Sequence, residues 1–136
     1  MPIKKPRYIR KETYPVDAVL PYLGDYRKEY DGDLIGMGSL RYITFKKNAC
    51  KCVFCGIEGT FFAKETFNSN QKIISYHFNL YGIRSGREVM LTKDHIHPKS
   101  HGGLNDVGNL QTMCESCNTR KGNMSNEEFM GLRVTG

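Results

Sequence analysis

The sequence predicts an α+β fold, and three features carry that expectation. Stretches between residues 57 and 92 alternate like β-strands, the chain after Cys114 has helical spacing, and two Cys-x-x-Cys pairs could tie these parts into one unit. With 136 residues the chain fits one domain, or one domain with an arm.

The first residues are read as extended, because Pro2 and Pro6 disfavour helix around them. Lys4, Lys5, Arg7, Arg10 and Lys11 stand against Glu12 alone, which supplies +4 of the total charge of +6. Such an arm either follows a polyphosphate backbone or is a solvated tail. "YPVDAVLPYLGDYRKEY" (14–30) puts Tyr22, Tyr26 and Tyr30 on one helical face, although Pro21 and Gly24 weaken a helix. "DGDLIGMGS" (31–39) is turn-rich, and "LRYITFKK" (40–47) alternates as a strand would. Residues 1–47 are therefore read as a basic arm and extension, and 48–136 as the main domain.

That domain opens with the knuckle "CKCVFCG" (50–56). An inserted β-hairpin or small sheet at 57–92 is expected from "TFFAKETF", "KIISYHFNLYG" and "REVMLT", with "NSNQ" and "RSG" as turns. "NLQTM" (109–113) reads as a short strand and a helix begins near Cys114. A last helix starts at Ser125, where Glu128 has the capping-box spacing.

No apolar run approaches about 18 residues, so no membrane span is expected. "MPIKKPRYIRKETY" has no apolar core of a secretory signal. A cytoplasmic, reducing location is therefore expected, with the five cysteines as thiols or metal ligands, not disulfides.

Cys52-x-x-Cys55 and Cys114-x-x-Cys117 are separated by 58 residues. Two such knuckles complete a tetrahedral four-sulfur site for structural zinc, whereas a redox Cys-x-x-Cys is usually single. Cys50 makes the first run C-x-C-x-x-C, and the commoner knuckle spacing selects Cys52 and Cys55. Cys114, Cys117, Asn118 and Lys121 share one helical face, so zinc there would fix Asn118 beside it.

"KDHIHPKSHGG" (93–103) holds three of the four histidines. Read as a strand ending at Pro98, it sends His95 and His97 to one side. Asp94 and His95 face opposite ways in a regular strand, and serve one site only where the pleat breaks at the strand's end. Asp94 is a hard oxygen donor for magnesium or manganese, and an uncoordinated imidazole suits proton abstraction from water.

"DHIHPKSHGG", "NLQTMCESCNTRKGN" and the preceding "CVFC" together resemble the HNH endonucleases of the ββα-metal class, in the subgroup braced by four cysteines and zinc. The resemblance runs from Cys52 to about Asn123 and is interrupted by 57–92. It implies a ββα-metal nuclease fold with His95 as general base and Asn109 tying the loop that holds it. It implies a catalytic divalent ion, Mg2+ or Mn2+, on Asp94 and Asn118. Asn118 stands where many members have histidine, and an amide oxygen suits magnesium better than zinc or nickel.

The implied partner is DNA, most simply double-stranded; no recognisable RNA module decides between DNA and RNA. Lys99, Arg120 and Lys121 flank the site and are read as backbone contacts or solvated cations, alongside the arm residues. His97 is either a phosphate contact or a solvated neighbour. A homodimer or a larger phage-type complex would fit a small protein of this kind. Two rival readings are a zinc-dependent nucleic-acid-binding module without catalysis and the nuclease subunit of a larger phage machine.

Overall fold

The computed structural model describes residues 8–67 and 75–135. Lys4, Lys5 and Arg7 of the expected arm, and residues 68–74 of the expected β insertion, lie outside the described residues.

The chain forms β1 (Tyr8–Pro15), α1 (Val16–Val19), β2 (Arg27–Tyr30), β3 (Asp33–Gly36), α2 (Leu40–Asn48), β4 (Phe61–Phe67) and β5 (His77–Arg84). β6 (Arg87–His95), β7 (Leu110–Cys114), α3 (Glu115–Lys121) and α4 (Asn126–Thr135) follow. An antiparallel sheet runs β1-β4-β5-β6-β7, and β2 and β3 form a separate hairpin. The mixed α+β class is as expected, and β4, β5 and β6 answer to the three strand-like stretches. Among the described residues no helix is long and apolar enough to cross a membrane.

Three local expectations are corrected. The stretch 14–30 is not one helix: it ends β1, makes a single turn, passes a 3-10 turn at Leu20–Tyr22 and enters β2. Gly24 at φ +98 ends any helix there, and the Asp31–Gly32 turn, with both residues at positive φ, closes the hairpin. Tyr22 and Tyr26 are exposed while Tyr30 is buried, so no common face exists.

The stretch 40–47 is helix α2, not a strand. Ser39 caps it, its hydroxyl accepting from the Tyr42 amide at 3.3 Å, and Thr44 returns its hydroxyl to Leu40 O at 2.7 Å. Tyr42 and Phe45, three apart, are buried together, and Lys46 and Lys47 sit in the last turn where cations favour the helix dipole.

The third correction concerns the arm. Residues 8–15 form an edge strand paired to β4, with a bulge between Arg10 and Thr13. Arg10 donates to Glu65 at 2.7 Å and to both Glu88 oxygens at 2.8 Å, and its guanidinium lies 4.9 Å from the Tyr81 ring centre. Lys11 pairs with Asp33 at 2.9 Å. Arg10 and Lys11 are thus ties within the fold, and neither is a free cation awaiting phosphate.

Core side chains come from both sides of residue 47: Leu23, Ile35, Met37 and Phe45 pack with Phe62, Phe78, Leu80, Leu91 and Met113. The described residues before 48 therefore share a core with the strands of the main domain. Where β5 and β6 cease to pair, Arg41 donates to Phe78 O and Asn79 Oδ1, and Tyr42 bonds both backbone groups of Phe78. These bonds satisfy β5 as β6 turns away with β7, leaving β6, β7 and α3 as a ββα unit.

Candidate nuclease site and zinc centre

The knuckle and the start of α3 bring four sulfurs together. The donor atoms of Cys52, Cys55, Cys114 and Cys117 all lie within 4.8 Å of one another, and Cys55 and Cys114 sulfurs are 3.7 Å apart. Zinc–sulfur bonds of about 2.3 Å in a tetrahedron require sulfurs about 3.8 Å apart, so donor set and spacing fit zinc. The knuckle is closed by Cys52 N to Ile57 O at 2.9 Å and Gly56 N to Cys52 O at 3.1 Å. Cys114 is the N-cap of α3, its sulfur accepting from Cys117 N at 3.4 Å. Cys50 stands apart, its sulfur 3.9 Å from Phe45 O, as the choice of Cys52 and Cys55 required. Phe54 of the knuckle stacks on Phe129 of α4, ring centres 4.1 Å apart.

Arg84 reaches this cluster from the end of β5, donating to Cys55 Sγ at 2.9 Å. Burial raises the Cys55 thiol, but Arg84 and neighbouring hydrogen bonds outweigh it and hold the group at about 6. Burial pushes Cys114 and Cys117 up. Four thiolates on one zinc ion carry net negative charge, which the guanidinium offsets. Arg84→Ala should therefore weaken zinc retention by about 10–100-fold, the usual effect of losing such a partner. Zinc transfer to a chromogenic chelator reads this directly, and an unchanged transfer would remove Arg84 from the zinc centre. Nothing in its local sequence marks Arg84, whose partner lies 29 positions away.

The second cluster forms where β6 ends. The strand stops at His95, short of the expected Pro98: Ile96 N still bonds Asn109 O at 2.8 Å, but beyond it the Asn109 side chain takes both backbone groups of His97. At this break Asp94 and His95 line one cleft of about 220 Å³ together with Asn118 from α3. Lys93 and Lys99 also line it.

Asp94 is 7% exposed. Its Oδ2 accepts from Gln111 Nε2 at 2.9 Å and from Lys121 Nζ at 2.5 Å, so Oδ1 is the oxygen left to the cleft. Asn118 donates through Nδ2 to Thr92 Oγ1 at 2.9 Å and Lys93 O at 3.3 Å, which leaves its amide oxygen for the cleft. Two oxygens on separate elements, one anionic and one neutral, suit a hard divalent cation.

Asn109 ties the loop: Oδ1 accepts from His97 N at 2.9 Å, and Nδ2 donates to His97 O at 3.0 Å and Leu104 O at 2.8 Å. The His95 ring itself is held by Asn105, with Nε2 3.1 Å from Oδ1. Gly103 packs so tightly under this loop that a Cβ would meet His97 O at 1.8 Å, and Gly102 takes φ +88, which together account for the glycine pair after His101.

Of the expected nucleic-acid contacts, Lys99 and Arg120 are exposed, the latter over the Phe129 ring. His97 is exposed and bonds His101 O at 3.0 Å. Lys121 is not available: it is 1% exposed and binds Asp94 and, at 2.6 Å, His95 O. The face it shares with Cys114 and Cys117 carries two zinc ligands and points inward, a signal of its burial already present in the sequence. Asn105, Gln111 and the reciprocal Gln111–Asn126 amide pair, at 2.8 and 3.1 Å, had no motif to mark them.

The chain thus carries a ββα unit with four clustered cysteine sulfurs, an Asp-His pair at a strand end and an asparagine on the helix. Residues 82–124, from the end of β5 through α3, match the family model described as HNH endonuclease. No curated protein and no solved structure matches the chain.

Proposed function

We propose that the protein is an endonuclease that hydrolyses DNA phosphodiester bonds in the cleft of Asp94, His95 and Asn118. The observation that carries this reading is the convergence of those three residues, with Asp94 Oδ1 and the Asn118 amide oxygen both left open. Because the Asn105 amide oxygen only accepts, His95 Nε2 bears the hydrogen and Nδ1 keeps the lone pair. Nδ1 takes the proton of a water as that water's oxygen attacks phosphorus and the bond to the 3′ oxygen breaks. This leaves a 5′-phosphate and, once the departing 3′ oxygen takes a proton from solvent water, a 3′-hydroxyl. A magnesium or manganese ion on Asp94 and Asn118 would supply charge neutralisation at the phosphate and the leaving oxygen. Asn109 and Gly103 keep the histidine loop in place, and Lys93 and Lys99 favour the approach of a phosphate.

Incubation with supercoiled plasmid and magnesium tests this. Wild type should convert the plasmid to nicked or linear DNA, and plasmid left supercoiled with magnesium and with manganese would leave a binding module without catalysis. Asp94→Ala and Asn118→Ala should lose cleavage through metal occupancy, with partial recovery at raised manganese. No recovery, with manganese still bound normally in the presence of DNA, would count against both assignments.

For the arm, Lys4, Lys5 and Arg7 remain as backbone contacts. Deleting residues 1–7 leaves β1 whole, whereas a longer deletion would remove the edge strand. If all three cations neutralise phosphates, the slope of log affinity against log salt should flatten by about 2.7 on duplex DNA. An unchanged slope would make the arm a solvated tail.

A further inference from the structure

We propose that Lys121 makes this cleft too positive to hold a divalent cation alone, so that metal ion and phosphodiester bind interdependently. The inference rests on reading Asp94 and Asn118 as the metal ligands. Among the described residues Asp94 is the one carboxylate lining the cleft, where Lys93 and Lys99 are its other charged side chains. Its charge is already matched by the Lys121 ammonium 2.5 Å from Oδ2. Lys121 is 1% exposed, so water screens that interaction poorly.

The pair is fixed in place. Lys121 also donates to His95 O at 2.6 Å, and Gln111, held by its reciprocal bonds with Asn126, donates to the same Asp94 oxygen. Asp94 is therefore held against Lys121 while offering Oδ1 to the cleft. A cation at Oδ1 meets a neutralised carboxylate, a neutral amide and two further lysines. The donors are of the right type for a hard divalent ion, but their net charge is too positive to hold one without a further anionic ligand such as a phosphate.

The missing negative charge must come from the substrate. A phosphodiester oxygen entering between Lys93 and Lys99 would complete a hard-oxygen ligand set, and magnesium commonly uses one carboxylate together with substrate phosphates. The coupling is reciprocal: the factor by which DNA tightens metal binding equals that by which metal tightens DNA binding. In the cell the ion would then be held mainly when DNA is in the cleft.

Electron paramagnetic resonance of free Mn2+ tests this on the full chain, with His95→Ala used where duplex is present so that the DNA stays intact. Mn2+ held by a short duplex alone is subtracted. Without DNA the zinc-loaded protein should leave most millimolar Mn2+ free; with duplex a protein-dependent site should appear. Mn2+ should strengthen duplex binding, measured by fluorescence anisotropy, by the same factor. Lys121→Met should bind Mn2+ without DNA at least about tenfold more tightly than wild type, and Lys121→Arg should resemble wild type. Equal Mn2+ affinity with and without duplex overturns the inference, and this comparison needs no Lys121 variant to fold. A folded Lys121→Met that binds Mn2+ no more tightly also overturns it. Failure of the nuclease reading is seen separately, as wild type leaving plasmid uncut at saturating Mn2+.

Discussion

Serine in place of Cys114 should leave the chain without zinc and largely unfolded at room temperature. Cys114 is fully buried, ends β7 and caps α3, so one sulfur joins the sheet, the helix and the knuckle. Structural zinc contributes about 10–16 kcal/mol to folding in small zinc domains, comparable with or above the about 5–15 kcal/mol that whole domains retain. Hydrophobic packing by Phe45, Phe62, Leu80 and Met113 will not offset a loss of that size. Without the ion, four sulfurs within 4.8 Å of one another would also lack their common partner. The change should appear as lost far-UV dichroism at 25 °C and less than one zinc per chain by elemental analysis. Cys50→Ser should keep both signals, since its sulfur faces Phe45 O and lies outside the cluster. A folded, zinc-loaded Cys114→Ser, or zinc lost from Cys50→Ser, would overturn the ligand assignment.

What the sequence made legible was what is written in short spacings. Two Cys-x-x-Cys pairs specify the metal cluster because each knuckle is a local geometry that needs only its own turn. The capping box is another such case: Ser125 and Glu128 exchange the two expected bonds, each at 3.2 Å. So is the Ser85–Gly86 turn between β5 and β6, where both residues take positive φ. The Asp94–His95 pair was readable with one condition, a broken pleat, and the strand does end there.

Failures came where long-range partners decide. Arg10 and Lys11 look like arm cations until Glu65, Glu88 and Asp33 are brought to them by strand pairing; Arg10 and Glu88 are 78 positions apart. Lys121 resembles a phosphate contact by charge; the helical face it shares with Cys114 and Cys117 already signals burial, but its partner Asp94, 27 positions away, does not show in the sequence. The segment 40–47 fits both a strand alternation and a helix, and the Ser39 cap with a buried Tyr42–Phe45 pair selects the helix. Charge patterns alone therefore gave Arg10, Lys11 and Lys121 a freedom that their distant carboxylate partners remove.

His95→Ala should fold, keep its zinc and bind DNA, yet cleave plasmid about 10²–10⁴-fold more slowly, the range expected for losing a general base. Its side chain is partly exposed and its ring bonds Asn105, so removing it costs little packing. The backbone at 95 stays fixed, since its carbonyl accepts from Lys121 at 2.6 Å and the strand pairing of His95 with Leu110 does not involve the ring. Asn105→Ala should lose less, about tenfold, because the imidazole remains but its orientation and its hydrogen on Nε2 are no longer imposed. The order of the two losses is the informative measurement. A purely structural histidine would shift the melting temperature and the metal affinity along with the rate. The base assigned here shifts the rate alone, with Mn2+ and duplex binding measured together remaining at wild-type levels. Plasmid cleavage by purified His95→Ala at the wild-type rate would end the assignment, while leaving the zinc centre and the fold around it as described.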